Sequence, residues 1–210
     1  MLNLIIKDIV IQKRMIPFTL LYVVVFIILT AGNYNKGSVY IIGVTVAFMF
    51  SLGAIQYDEK CKADNIIASL PLKRKDIIIS RYLGTIFFTA ASTLFITIFV
   101  WLINFINIKS INISAMNIND IKIITITTLV MMSVIIPFNL KFGINKAKII
   151  TFALYFTFFT IALNIYNNVN EESIRTIYLF FIKNGLFLAI LLFAVSFVCS
   201  IFIYENKDFV

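Results

Sequence analysis

Long apolar runs separated by short polar breaks set the pattern of this chain. Six of them come close to the roughly 20 helical residues that a hydrocarbon layer of about 30 Å demands. They fall near Ile16 to Ala31, Val39 to Gln56, Tyr82 to Ile103, Ile123 to Phe138, Ile149 to Ile165 and Leu186 to Ile203. The runs are continuous and do not alternate with period two. Because every backbone polar group must be satisfied inside lipid, they predict helices and not barrel strands. The expected fold is therefore an all-α integral membrane unit over residues 1–210 with six transmembrane helices. The first run follows fourteen residues that carry charge and has no small-residue cleavage site after it, so it is expected to remain as a span.

Three stretches between the runs are patterned and are not simple loops. In residues 1–15, Leu2, Ile5, Ile6 and Ile9 share a helical stripe with Asn3, Lys7 and Arg14 roughly opposite, which suits a short helix lying in the membrane interface before Pro17. Residues 57–82 form a polar island holding ten of the chain's 28 charged residues. Within it, Lys62 to Ser69 can make two helical turns before Pro71 interrupts, and the helix restarts at Lys73. Ile66, Ile67, Ala68 and Leu70 are apolar residues that a merely solvated loop would not need. In residues 167–184, Glu171 to Lys183 is charged at both ends and apolar between. One span from Ile177 to Ile203 would be about 40 Å long, so a separate re-entrant or interfacial helix is expected before the last span, with Lys183 snorkelling to the headgroups.

Composition changes this picture only by fixing the solvent and the orientation. With 61% hydrophobic and 15% aromatic residues and a mean hydropathy of +0.99, the chain exceeds what a soluble core of its size can bury. Placing both termini in the cytoplasm puts thirteen of the 18 Lys and Arg inside and five (Lys36, Lys109, Lys122, Arg175 and Lys183) outside. That asymmetry orients the protein. The net charge of +8 is accounted for by this bias and by attraction to anionic lipid, and nucleic acid is not an expected partner. Cys61 and Cys199 fall in different compartments and are expected to be unpaired thiols.

Missing residues narrow function as well. The chain has no histidine, which removes the usual zinc sets, Ser-His triads and Cys-His pairs. It has no phosphate-binding glycine motif, so ATP hydrolysis by that route would need another polypeptide. Glu171, Glu172 and Arg175 approach the acidic-acidic-Arg signature of intramembrane proteases, but the spacing is one residue short and the accompanying histidines are missing. Hydroxyl residues in the third span (Thr85, Thr89, Ser92, Thr93, Thr97) and the fourth (Thr125, Thr127, Thr128, Ser133) are expected to glue helices together. No buried acid or histidine chain is apparent to relay protons, which disfavours an ion-driven transporter.

The six-span layout carries one further pattern. Asp58-Glu59-Lys60, Ser69-Leu70-Pro71-Leu72, Arg74 and the helix from Asp76 to Tyr82 lie between the second and third spans. On these residues the chain resembles the ABC-2 type permeases of bacterial exporters, and among them the small six-span permeases of the phenol-soluble modulin exporter type. The resemblance implies an elbow helix at 1–15, a cytoplasmic coupling helix within 57–82 that docks into a separate ATPase, and an outer re-entrant segment at 167–184. The docking residues it implies are Asp58, Glu59, Lys60, Asn65, Ile66, Ser69, Leu70, Pro71 and Arg74. It also implies a bacterial cell-membrane location and two permease chains with two ATPase chains. ATP and Mg would be held by the partner, with no cofactor, metal or catalytic residue in this chain. Spans offering hydroxyls and aromatics but no buried charge suit amphipathic peptides as cargo. A membrane-embedded immunity or assembly protein that binds a partner without pumping it is the alternative reading.

Overall fold

The computed structural model describes residues 2–13, 15–30, 36–60, 74–106, 117–167 and 172–206. Among the described residues the chain is helical, with no strand. In chain order the helices are α1 (Leu2–Gln12), α2 (Ile16–Thr30), α3 (Lys36–Lys60), α4 (Arg74–Ile106), α5 (Ile118–Asn167) and α6 (Glu172–Glu205). Four stretches are long and apolar enough to cross a bilayer: Tyr40–Asp58, Arg74–Leu102, Ile118–Gly143 and Phe180–Glu205. A fifth is obtained if Ile6–Gln12 and Ile16–Phe26, bent by 52° at a short break, count as one span.

Gly143 divides α5 into two limbs. Its φ of 72° and ψ of 161° lie where only glycine is at ease, and the helical hydrogen-bond ladder cannot continue through such a residue. Ile124, in the first limb, is pressed against Gly43 of α3. Tyr155, in the second, places its hydroxyl 2.7 Å from Thr45 Oγ1 and its ring 5.5 Å from that of Phe48. Straight helix would separate Ile124 from Tyr155 by about 45 Å, whereas Gly43 to Phe48 covers less than about 10 Å of α3. The chain therefore turns back at Gly143, and the two limbs form a helical hairpin. The second limb contributes the shorter apolar helix Ala147–Thr160.

Cross-helix contacts fix the direction of every element. Met15 and Gln12 lie beside Gly53 while Tyr22 reaches Thr45, so α2 runs opposite to α3. Asp120 meets Tyr40 and Ile124 meets Gly43, so the first limb of α5 runs with α3. Arg74 meets Glu205 and Tyr82 meets Ser196 and Ser200, so α4 runs against α6. Six helical segments thus alternate in direction from α2 to α6, counting each limb of α5. The start of α1, the end of α3, the start of α4 and the end of α6 gather at one end of the bundle.

The buried core is continuous from α3 through α4 and α5 to α6, with Ile78, Ile124, Met132, Ile135 and Ile136 at most 1% exposed. The apolar outer surface includes Phe187 and Val198 on α6, Leu94 and Trp101 on α4, and Phe152 on α5. Lipid gives no hydrophobic reason for helices to associate, so close backbone approach matters more. Gly43 supplies it: a β-carbon there would sit 2.5 Å from Ile124 Cδ1. At the opposite end from the termini, α5 opens with a reciprocal cap. Asp120 N–H donates to the Asn117 carbonyl at 2.9 Å, and Asn117 N–H donates to Asp120 Oδ2 at 2.7 Å. The Tyr40 hydroxyl completes it on Asp120 Oδ1 at 2.6 Å.

Two expectations change. The intramembrane hydroxyls mostly turn inward to their own helix: Thr85, Thr89, Ser92, Thr93, Thr97, Thr125, Thr127, Thr128 and Ser133 each donate to a carbonyl three or four residues back. Hydroxyl bonds between helices come instead from Tyr22, Tyr40, Thr45, Tyr82, Tyr155, Ser196 and Ser200. The segment before the last span differs as well. α6 runs as a single helix from Glu172 to Glu205, so the outer element expected at 167–184 is, from Glu172 on, continuous with the helix that follows. Residues 168–171 lie outside the described residues, as does the side chain of Arg175. Lys183 is exposed on α6, and Cys199 is a free thiol on its outer side.

Candidate functional site

The polar island maps onto the end of the bundle where the helix termini gather. Its middle, residues 61–73, lies outside the described residues, and with it Asn65, Ile66, Ser69, Leu70 and Pro71. Glu59 and Lys60 close the last turn of α3. The two roots of the segment are Asp58 on α3 and Arg74 on α4, and both are occupied within the chain.

Asp58 is buried at 6% exposure. Its Oδ1 takes the Lys7 ammonium of α1 at 2.5 Å, and the same ammonium stands 3.4 Å from Asp8 Oδ1. Asp8 is itself buried, its Oδ2 lying over Gly84 of α4. Arg81 of α4 adds a second positive charge within range of it. One turn on, the Gln12 amide donates to the Phe50 carbonyl of α3. Helix α1 therefore turns Asp8 and Gln12 toward α3 and α4 and leaves Ile6, Ile9 and Val10 exposed. This inverted polarity is what a lipid-facing helix needs, and Ile6 and Ile9 of the apolar stripe read from the sequence lie on its outer face. Burying two carboxylates is tolerable because a shared cation offsets their desolvation.

Arg74 is held from the other terminus. Its guanidinium donates to the carbonyl of Glu205 at 2.5 Å and lies 3.5 Å from that of Tyr204, while Lys75 Nζ stands 3.6 Å from Glu205 Oε1. Cations belong here, because the last carbonyls of a helix are unpaired and carry the negative end of its dipole. The sequence reading assigned Asp58 and Arg74 to docking, and the structure gives both an internal partner. Lys7, Asp8, Gln12 and Glu205 were missed as site residues. Only the amphipathic pattern of residues 1–15 hinted at the first three.

Below this rim lies a buried polar node. Pro137 has no N–H to offer the carbonyl of Ser133 one turn back, and the Ser196 hydroxyl of α6 donates to that carbonyl at 2.5 Å. The Tyr82 hydroxyl of α4 lies 2.7 Å from both Ser196 Oγ and Ser200 Oγ. Its ring meets Phe193 and Phe197 edge-on, with centroids 4.8 and 5.2 Å away. Three helices are thereby joined at one point about 12 Å along α4 from its root at Arg74.

No grouping of potential metal ligands occurs among the described residues. The site is a set of contacts by which α1 and the end of α6 hold the two roots of the segment. No curated protein and no solved structure matches the chain. The family described as ABC-2 family transporter protein matches residues 3–205. Together with several long apolar helices, that match makes the chain a multi-pass protein of the bacterial membrane and a member of the ABC-2 transporter family.

Proposed function

We propose that this chain is the permease subunit of an ATP-driven ABC-2 exporter. The residue 57–82 segment would be the handle through which a separate ABC ATPase moves it. Membership of the family implies an ABC ATPase partner, and the chain's own lack of a nucleotide-binding motif agrees with that division of labour. On this reading ATP and Mg belong to the partner, and the chain crosses the membrane six times with both termini in the cytoplasm. Two permease chains and two ATPase chains make the transporter, α1 is the elbow helix, and amphipathic peptides are the cargo.

The observation that carries the proposal is the gathering of α1, both roots of the segment and the end of α6 at one end of the bundle. Force applied there reaches four helices at once. Because Asp58 and Arg74 have internal partners, docking falls to Glu59, Lys60, Asn65, Ile66, Ser69, Leu70 and Pro71, with Asp58 and Arg74 anchoring the segment. Moving from a mostly inward to a mostly outward state needs about 5.5 kcal/mol of differential binding, which a docked protein can supply.

The test is purification of the tagged chain from native membranes, with vanadate-sensitive ATP hydrolysis as readout. The expected result is a stoichiometric P-loop ATPase that is lost when Ile66→Asp and Leu70→Asp are combined. A chain that purifies without any ATPase, or an ATPase indifferent to that double change, would overturn the proposal.

A further inference from the structure

We infer that α4 and α6 move as one body, fastened at the rim by Arg74 and Lys75 and at depth by Tyr82, so that a stroke on the segment is delivered to the last span. The inference rests on the proposed ATPase-driven mechanism and adds which helices travel together. Tyr82 is its principal positioning residue.

Two fastenings at different depths prevent pivoting, whereas one would act as a hinge. The rim fastening joins Arg74 and Lys75 to the final turn of α6. The deep one joins Tyr82 to Ser196 and Ser200, all three of them buried. Ser196 is committed a second time, to the carbonyl that Pro137 frees. If α4 slid along α6 by one turn, Tyr82 could keep at most one of the two serines, which themselves lie one turn apart, and its bond to the other would be lost in the buried core. By contrast, α2 rests mainly on α3, and its own polar node, where Tyr22 meets Thr45 and Tyr155, ties it to α3 and the second limb of α5.

The experiment measures distances by paired spin labels in the permease–ATPase complex in lipid nanodiscs, in a Cys61→Ser/Cys199→Ser background. Labelled chain is diluted with unlabelled chain so that pairs within one subunit dominate. One pair reports α4 against α6 (Leu94→Cys with Phe187→Cys), and the other reports α4 against α2 (Leu94→Cys with Leu21→Cys). All three positions are exposed. On trapping with ATP and vanadate, the α4–α6 distance is expected to stay within about 2 Å while the α4–α2 distance changes by more. A change in the α4–α6 pair as large as that of the α4–α2 pair overturns the inference but leaves the ATP-driven reading standing. No change in either pair overturns that reading, and the inference falls with it.

Tyr82→Phe keeps the ring and removes the hydroxyl. It is expected to broaden the α4–α6 distance distribution in the trapped state without altering the nucleotide-free one. An unchanged trapped distribution would remove Tyr82 from this role.

Discussion

Removing the Lys7 ammonium should damage the chain more than removing the Asp58 carboxylate with which it pairs. Lys7→Met leaves Asp8 and Asp58, 8% and 6% exposed, facing one another without the cation that they share. Breaking a fully buried pair costs about 3–5 kcal/mol, and the one-third exposure of the Lys7 side chain lowers this to about 2 kcal/mol. Asp58→Asn instead leaves Lys7 beside Asp8 and keeps an amide oxygen in place, at a cost of about 1 kcal/mol. The double variant Lys7→Met/Asp58→Asn removes one of the two stranded acids and should recover part of the loss. The readout is hydrogen exchange of the amides of α1 in nanodiscs, with α2 as internal reference. A loss of about 2 kcal/mol opens α1 about 30-fold more often, and about 1 kcal/mol about fivefold. Exchange in Asp58→Asn equal to or faster than in Lys7→Met would refute the idea that one lysine neutralises two acids.

Four further outcomes are expected. Gly43→Val drives a side chain into Ile124 and should destabilise by about 1–3 kcal/mol in thermal melting, with Ile124→Val restoring part of it by removing the atom 2.5 Å away. Gly143→Ala should cost about 1–3 kcal/mol, and Gly143→Asn should rescue nothing, because a ψ of 161° lies outside the left-handed region that asparagine tolerates. Ser196→Ala should cost about 1–3 kcal/mol alone and clearly less in a Pro137→Ala background, where residue 137 regains an N–H for the Ser133 carbonyl; equal losses in the two backgrounds would dissociate the serine from the proline. In Cys61→Ser protein, Cys199 should react with a lipid-soluble maleimide and resist a charged methanethiosulfonate, as labelling followed by mass spectrometry would report.

What the sequence made legible was whatever depends on neighbours along the chain. Continuous apolar runs located the four long crossing stretches, and the polar break between the fourth and fifth runs is where the two limbs of α5 part at Gly143. Pro71 and the charges around it marked the segment assigned to docking, residues 61–73 of which lie outside the described residues. What escaped depends on partners far along the chain. Asp58 looked like a docking acid because Lys7 is 51 positions away, and Arg74 looked free to dock because the carbonyl it caps is 131 positions on. The hydroxyls were misjudged for a local reason: a threonine one turn above a carbonyl finds that acceptor before it can reach a neighbouring helix. Pro137 held a readable signal. It leaves one carbonyl unpaired in lipid, so some donor had to face residue 133, even if nothing nearby named Ser196.

Ties of unequal strength have a direction built into them. The Arg74 and Lys75 contacts lie at an exposed rim, where such pairs contribute about 1 kcal/mol or less, while the Tyr82 node is buried and each of its hydrogen bonds costs about 1–3 kcal/mol to leave unmade. The rim contacts can therefore strain before the node does, while both continue to hold α4 against α6. What passes beyond Tyr82 would be a displacement of α4 together with α6. At α1 the part-buried Lys7 cluster is followed one turn on by the buried Gln12 bond to the Phe50 carbonyl. The end of α6 thus holds α4 through an exposed outer contact backed by a buried inner one, and the buried one is the costlier to break.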